Sequence, residues 1–517
     1  MLFERRKRAR LRADWGRVDP GRRRDFAAIA QLDEAPFASA EDLDLDQVFA
    51  ELDRTLTEAG QQALYKLLRR PLLEVHALRE RGRIIRLFQE DAAVREALQL
   101  ELLPLGQAAP GTLLPLLSPA RSLRLPLPGL VYSLLTLSAL ASLGLWATLG
   151  APGLLAVVAA YLINAAMHYT AEQVVSSALP GILSLQRLLA AAQKLSKAKL
   201  PGLEEVQERL RGRLTALAPL LKAVGQVKLP DGADDLAVYV NIFVLRQVRL
   251  LSRAAPLLAV HRAALLELVE EVGTLDALQA VASFRQERHD WCEPKLTEDA
   301  AGIDAEELRH PLLPDAVPNS ISLRGGALIT GSNMAGKSTF LRTAGINALF
   351  AQTIFTCCAR SWSGPPLRLA TSLRRSDSLL DGRSYYLAEA QGILQAIRSA
   401  EKPPRTLCIL DEIFRGTNTA ERIAASAEVL RWLSAHGALV LAATHDDALT
   451  ETLAGTYRNL HFGETISAEG MSFDYLLKEG PAATRNAIEL LRILGYPEEL
   501  VMAARASAAP KARREPG

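Results

Sequence analysis

A glycine-rich segment with a lysine and three hydroxyl residues has the composition of a phosphate-binding loop. It follows the apolar residues 327–329 and matches the spacing G-x-x-x-x-G-K-[ST]. Glycines let successive backbone N–H groups turn towards a polyanion, the lysine adds a positive charge, and the serine hydroxyl suits Mg²⁺. The predicted nucleoside triphosphate ligands are Gly331, Ser332, Asn333, Met334, Ala335, Gly336, Lys337, Ser338 and Thr339.

Two further apolar runs end in polar residues that suit the same chemistry. The first ends at Asp411 and Glu412, and the second ends at Thr444 and His445. Carboxylates after a buried strand are typical of a Walker B motif, where one holds Mg²⁺ and the next activates water. Carboxyl ends of parallel strands meet at one edge of a sheet, where the histidine would sense the γ-phosphate. We predict catalytic roles for Lys337, Glu412 and His445, and Mg²⁺ binding by Ser338 and Asp411.

The surrounding pattern predicts a helical region followed by an α/β domain. Leucine recurs at helical spacing in the first half of the chain, and strand-like and helix-like segments alternate in the second half. The fold class is therefore α plus α/β. The predicted divisions are a basic tail and linker (1–44), a helical domain with a lever-like arm (45–290), a P-loop α/β domain (291–482), a helical segment (483–506) and a disordered tail (507–517).

Residues 125–171 contain no Asp, Glu, Lys or Arg. Residues 129–150 are long enough to cross a ~30 Å hydrocarbon layer as one helix. A turn signal follows, and then a shorter apolar run at 154–167. This second run would need its aromatic neighbours Tyr161, His168 and Tyr169 as interface anchors.

We predict from this pattern a transmembrane helical hairpin within residues 128–169. Basic residues flank both sides of the uncharged stretch, so both termini and the ATPase domain should face the cytoplasm, at the cytoplasmic membrane. Two alternatives stay open, a buried hairpin of the helical domain and a hydrophobic contact between two copies of the chain.

The charge distribution and the cysteines indicate which binding partners and which cellular compartment to expect. The net charge of +2 gives no general argument for nucleic acid, but residues 1–24 hold ten basic and three acidic residues. This tail is either a solvated arm or a contact with anionic lipid or nucleic acid. The four cysteines lack the spacing of metal ligands, and we predict that they are reduced thiols in a cytosolic domain.

Together these motifs resemble those of the MutS family of ABC-type ATPases. The loop reads TGSNMAGKST where the family has TGPNMGGKST, so Ser332 and Ala335 are departures. Residues 411–419 read DEIFRGTNT and match the family's DE-x-x-RGT-[SN]-T, and residues 381–389 look like its GRSTFxxE segment. The resemblance implies ATP as substrate, Mg²⁺ as cofactor and a homodimer in which Ser384 reaches the γ-phosphate held by the other subunit.

The resemblance covers residues 45–105 and 265–506. It implies that 45–290 is the family's core and lever domain, 291–482 its ATPase domain and 483–506 its helical dimerisation segment. The family's mismatch-recognition and connector domains are not recognisable, so we expect a short, membrane-associated member without them. The implied function is ATP hydrolysis coupled to DNA binding in mismatch repair or recombination, at a membrane. The alternative is a membrane-anchored ATPase for signalling or remodelling that does not bind DNA.

Overall fold

The computed structural model describes residues 2–18, 37, 39–107, 111–118, 123–225, 235–332, 334–373, 385–415, 417–467, 470–482, 491–492 and 495–508. The chain divides into two compact units. Residues 1–34, 52–66 and 83–287 form the first, here called the helical unit. Residues 35–51, 67–82 and 288–517 form the second, here called the sheet unit.

The described chain before residue 288 is built from helices rich in leucine and alanine. The first four are α1 (Leu2–Asp14), α2 (Leu45–Leu52), α3 (Glu58–Arg69) and α4 (Val75–Glu90). Those that follow, all in the helical unit, are α5 (Ala92–Gly106), α6 (Leu113–Leu117), α7 (Gly129–Leu149), α8 (Ala151–Lys197), α9 (Glu204–Ala216), α10 (Ala218–Val224), α11 (Asp235–Val244), α12 (Arg246–Val260) and α13 (Arg262–Glu287). Their apolar stripes bury one another, which is what stabilises helices of this length.

Helices α7 and α8 form a hairpin that turns at Gly150, whose φ of +63° is in the left-handed region. Both helices are long and apolar enough to cross a membrane, judged by length and composition alone. In their apolar windows only 22% and 11% of the residues are buried. Leu130 and Leu155 are 71% and 73% exposed, so the hairpin presents large apolar side chains outward.

Helix α8 is much longer than the predicted second run. It continues without interruption from Ala151 to Lys197, through Pro180. From Ala171 onward it buries a stripe of small and branched side chains inside the helical unit, including Ala178 and Leu185. The end of the uncharged stretch therefore marks a change in surroundings, from exposed to packed, and does not end the helix.

A buried carboxylate fixes the start of α3 in the helical unit. Asp276 of α13 accepts hydrogen bonds from the backbone N–H groups of Leu56 and Thr57, from the Thr57 hydroxyl and from Gln279 Nε2. A Cβ on Gly60 would lie 2.1 Å from Asp276 Oδ2. Only glycine lets the two helices approach this closely.

The sheet unit contains two sheets. The smaller has the order β1-β5-β2-β3 and the larger has the order β10-β9-β4-β8-β7-β6. The strands are β1 (Lys295–Leu296), β2 (Ile303–Leu308), β3 (Asn319–Leu323), β4 (Gly326–Thr330), β5 (Ser361–Gly364), β6 (Arg368–Ser372), β7 (Thr406–Asp411), β8 (Leu439–Ala443), β9 (Tyr457–Ser467) and β10 (Gly470–Glu479). The helices are α14 (Lys337–Thr353), α15 (Tyr385–Ala400), α16 (Thr419–Ala435), α17 (Asp447–Thr452) and α18 (Glu498–Ala508).

Strands β9, β4, β8, β7 and β6 pair in parallel, and β10 is antiparallel at one edge. Every residue of β7 and β8 is buried, as expected for central strands of a parallel sheet that is covered on both faces. The predicted combination of a helical region with a parallel-sheet region is thus confirmed.

The sheet unit also takes in residues 35–51 and 67–82, which the sequence pattern does not distinguish from the helical region. Asp42 accepts hydrogen bonds from the Thr371 hydroxyl at 2.6 Å and from the Leu373 backbone N–H at 3.2 Å, at the end of β6. These early residues therefore help to fix a strand end close to the predicted site.

Candidate active site

The three strand ends predicted to carry chemistry lie in one row. Ile329 of β4 and Asp411 of β7 both pair in register with Ala443 of β8. Glu412 N donates to the carbonyl oxygen of Ala443, and Thr444 N donates to that of Ile329, each at 3.0 Å. The glycine-rich loop, the acidic pair and the Thr-His pair therefore leave the sheet at the same edge.

The backbone of the loop needs its glycines. Gly331 has a φ of +135° and Gly336 a φ of +106°, both in the region that L side chains rarely adopt. A Cβ on Gly331 would also lie 2.7 Å from the carbonyl oxygen of Phe462. Ala335, which stands where the family has glycine, is fully buried, so its methyl group fits inside the loop.

Lys337 opens helix α14, and its side chain folds back over the loop. Its Nζ donates to the carbonyl oxygens of Gly331 at 2.6 Å and Ser332 at 2.8 Å. The side chain is almost wholly buried. A buried ammonium group beside the positive end of a helix dipole favours an anion at this position.

Ser338 and Asp411 meet directly below the loop. Ser338 Oγ donates to Asp411 Oδ2 at 2.6 Å. The other carboxylate oxygen, Asp411 Oδ1, and Ser332 Oγ are buried and make no hydrogen bond to any described residue. A hydroxyl and a carboxylate with an unused oxygen are hard ligands of the kind that Mg²⁺ takes beside phosphates, so the residues fit this ion.

Glu412 is held in an unusual conformation. It has a φ of +53°, and Phe414 two residues later has +60°. Non-glycine residues in this region cost about 1–3 kcal/mol and are concentrated at functional sites. Glu412 Oε1 lies 3.5 Å from His445 Nδ1, and Oε2 pairs with Nε of Arg415. The carboxylate is buried while the histidine ring is about half exposed, so Glu412 lies behind His445 at the sheet edge.

Several residues around Glu412 were not predicted as site residues. Arg415 lies in the DEIFRGTNT motif, but its pairing with Glu412 was not foreseen. Glu389 on α15 accepts the Arg415 backbone N–H at 3.2 Å, and burial raises the pKa of this carboxyl. Arg422 makes two hydrogen bonds with Asp446, at 3.0 and 2.9 Å. These contacts fix the chain just after the acidic pair, at Arg415, and just after the histidine, at Asp446.

An aromatic ring beside the loop was also missed. Tyr475 of β10 is 45% exposed, and a Cβ on Gly336 would lie 3.3 Å from its ring. Only the pairing of β10 with β9, and of β9 with β4, brings it to the loop. Tyr475 lies more than a hundred residues after the loop, and no sequence signal joins the two.

The structure does not test the roles predicted for four further residues. Asn333 and Ser384 lie outside the described residues. Met334 is 75% exposed at the loop tip, and Thr339 lies in the first turn of α14. Their predicted roles stay predictions.

The four cysteines, all of them described, form no disulfide. Burial raises the pKa of Cys358 and of Cys408 to about 12, so both are neutral thiols. Within the described residues, no group of three His, Cys, Asp or Glu side chains could hold a metal ion.

Comparisons with known proteins identify proteins that are similar to this chain. A family model described as MutS domain V matches residues 327–510. The chain is 34% identical over 246 residues to the DNA mismatch repair protein MutS of Natronomonas pharaonis, covering 46% of this chain and 28% of that protein. It is 31% identical over 331 residues to the DNA mismatch repair protein MutS 2 of Halobacterium salinarum, covering 60% of this chain and 36% of that protein. The matches thus span about a third of the length of these relatives.

Proposed function

This chain belongs to the MutS family, and on that premise we propose that its sheet unit binds ATP and hydrolyses it as a homodimer. Proteins of the family are ATPases. The observation that carries the proposal is the contact between Ser338 and Asp411 beneath the loop, with one carboxylate oxygen left unused.

Each residue of the sheet edge then has a distinct task. Lys337 exchanges its loop carbonyls for oxygens of the terminal phosphates, which are stronger partners for an ammonium group. Ser338 and Asp411 would hold Mg²⁺, which would supply positive charge next to the phosphates. Glu412 orients the attacking water and accepts its proton, and His445 contacts the γ-phosphate. Arg415 and the Glu389 contact to its backbone keep Glu412 in place.

The dimer is supported by the resemblance of residues 381–389 to the family's segment that crosses between subunits. Ser384 of the partner subunit would complete each ATP site. Turnover should then fall more steeply than in proportion when the protein is diluted, because the monomer has only part of the site.

We further propose that hydrolysis is coupled to DNA binding and that the hairpin α7–α8 tethers the chain to the membrane, with both termini in the cytoplasm. The names of the relatives, DNA mismatch repair proteins, support the first part. The exposed leucines of the hairpin support the second. The hairpin also favours a second candidate function, a membrane-anchored ATPase for signalling or remodelling that does not bind DNA.

The ATPase proposal is tested by phosphate release from purified full-length protein. We expect hydrolysis with Mg²⁺, none in excess EDTA, and a specific activity that rises with protein concentration. Activity that is the same with and without Mg²⁺ would contradict the assignment of Ser338 and Asp411. Specific activity that does not change over a wide dilution range would contradict the shared site.

The DNA proposal is tested by gel shift with duplex, mismatched and branched DNA at increasing salt. We expect binding that weakens steeply with salt, because phosphate contacts release counterions. Absence of binding to all three probes, with and without ATP, would favour the second candidate function.

The tether is tested by separating membrane and soluble fractions. Leu137 is 62% exposed near the middle of α7, and Leu137→Arg should move the chain into the soluble fraction or into aggregates. The matched control is Leu266→Arg, at an exposed leucine of α13, which should stay with the membrane. Wild-type protein that is wholly soluble contradicts the tether.

A further inference from the structure

Helices α11 and α12 are joined by a sharp break that has an apolar surface beside it. Leu245 alone separates them, with a φ of +49°. No charged residue occurs between Asp235 and Arg246. On α11 the side chains of Val238, Tyr239 and Val240 are 53%, 58% and 51% exposed. This surface adjoins the hairpin, because α11 packs against both α7 and α8.

Polar side chains of the hairpin satisfy the backbone at this break. Asn164 of α8 donates from Nδ2 to the carbonyl oxygen of Phe243 at 2.5 Å. The Thr136 hydroxyl of α7 donates to the carbonyl oxygen of Val244 at 2.8 Å. Both side chains are nearly fully buried within apolar helices. A helix end without water needs partners of this kind, since each unsatisfied group in hydrocarbon costs several kcal/mol.

The two hairpin helices place the break at the same depth. Thr136 lies seven residues after Gly129, which is about 10 Å along α7. Asn164 lies thirteen residues after Ala151, which is about 20 Å from the hairpin tip. Helix α7 is about 31 Å long at 21 residues, so both counts put the break about 10 Å inside the span from its open end.

The chain reaches the break from the open end of the hairpin and returns to it. Before the break, the carbonyl of Val224 at the end of α10 accepts a hydrogen bond from Gln186, about 50 Å from the tip along α8. After the break, Ser252 of α12 lies against Gly129, the first residue of α7. Both points lie at or beyond the open end.

We propose that residues 235–253 form a re-entrant membrane element, in which α11 enters the bilayer beside the hairpin, the chain breaks at Leu245, and α12 leads back to the same surface. This inference rests on the proposed tether. Its partner is lipid hydrocarbon, which covers Val238, Tyr239 and Val240. Arg253, about 10 Å along α12 from the break, lies at the interface beside lipid phosphates, and Arg246, next to the break, extends its long side chain towards them; both are exposed.

The first test measures contact with lipid tails at single sites. A fluorophore is attached to Val240→Cys in full-length protein carrying Cys292→Ala, because the other three cysteines are buried. The protein is reconstituted in phosphatidylcholine–phosphatidylglycerol vesicles that contain lipids with nitroxide-labelled acyl chains. Leu155→Cys, near the hairpin tip, reports the hairpin, and Val260→Cys, at an exposed valine near the far end of α12, is the matched control.

We expect strong quenching at positions 155 and 240 and little at position 260. If position 155 is quenched and position 240 is quenched as little as position 260, the re-entrant element is overturned. The membrane tether is not contradicted by that result. Absence of quenching at all three positions overturns the tether as well.

The second test removes the caps. In the Val240→Cys protein, Asn164→Leu should lose about half or more of the quenching at position 240, because the uncapped carbonyl draws the break towards water. Thr148→Val is the control, since among the described residues the Thr148 hydroxyl bonds to carbonyls of its own helix and to no other group. Quenching at position 155, measured in the same Asn164→Leu background, shows whether the hairpin is still inserted. Unchanged quenching at position 240 in Asn164→Leu contradicts the capping role.

Discussion

Two buried aspartates, one in each unit, differ in how far their oxygens are satisfied. Asp276 in the helical unit is 0% exposed, and both its oxygens accept hydrogen bonds. Asp411 in the sheet unit is 8% exposed, with one oxygen bound to Ser338 and the other without a hydrogen bond to any described residue. Burial is therefore nearly the same, and only the partners differ.

The difference separates a structural carboxylate from a binding one. A buried charge is tolerated where enough donors surround it, as the N–H groups and hydroxyl do around Asp276. An incompletely bonded carboxylate costs stability unless a ligand completes it. Asp411 has this cost at the strand edge where the phosphate-binding loop and Glu412 converge, and this supports its proposed role as a ligand of the cation that accompanies ATP.

The largest effect is expected for Lys337→Ala, which tests whether the loop beside Asp411 binds ATP. Removing the buried ammonium should abolish ATP binding, because Lys337 Nζ lies over the loop at the carbonyl oxygens of Gly331 and Ser332, where the phosphates would bind. Fluorescent-nucleotide titration measures this. Lys295→Ala, at an exposed lysine of the same unit, should bind ATP like the wild type. Retained binding in Lys337→Ala would contradict the loop assignment.

The same substitution at the two aspartates tests the comparison itself. Asp411→Asn should lower ATP turnover about a hundredfold or more and change stability little, because the lost charge served a ligand. Asp276→Asn should lower the free energy of unfolding by about 2–3 kcal/mol, because several donors lose a charged acceptor. Phosphate release and urea unfolding measure the two effects. Similar losses of stability in both variants would remove the distinction.

Gly60→Ala probes the satisfied cluster by shape alone. The added methyl would meet Asp276 Oδ2, so we expect a loss of about 1–3 kcal/mol in the free energy of unfolding. Gly212→Ala is the matched change in helix α9, where nothing lies within 4 Å, and it should be neutral or stabilising by up to about 1 kcal/mol. Equal unfolding midpoints for the two variants would show that α3 and α13 are not closely packed at Asp276.

The smallest effect concerns Glu389. Burial raises its pKa above the ordinary 4.5, so the ionised carboxylate destabilises the fold at neutral pH, and this cost disappears as the pH falls and the group is protonated. Glu389→Gln should therefore raise the unfolding temperature slightly at pH 7 and match the wild type near pH 4. Glu401→Gln, at an exposed position just after α15, should show no such trend. If the wild type instead becomes more stable than Glu389→Gln as the pH rises, the direction assigned to the Glu389 pKa shift is wrong.

The sequence predicted what depends on local pattern and missed what depends on distant packing. The sequence was enough to place three motifs at one sheet edge: the loop, Asp411–Glu412 and Thr444–His445. Each motif follows an apolar strand, and the carboxyl ends of parallel strands meet at one edge of a sheet. The positions of Asp42 at the end of β6 and of Tyr475 beside Gly336 could not be predicted, because contacts between residues more than a hundred positions apart leave no periodic signal. The length of α8 was underestimated because the apolar run ends where its surroundings change.

The region around α11 shows the same limit. Its pattern suits a short packed helix equally well, and only Asn164 and Thr136, two polar residues in an apolar hairpin, set it apart. Sequence periodicity indicates which residues are apolar. Whether they contact protein or lipid depends on the tertiary packing around them.

The central claim, that the sheet edge hydrolyses ATP, is tested most directly by Glu412→Ala. ATP binding and phosphate release should be measured on the same purified sample, next to the wild type. We predict binding within about twofold of the wild type and turnover lower by about 10²–10⁴, as for loss of a general base. Turnover equal to that of the wild type would contradict the account.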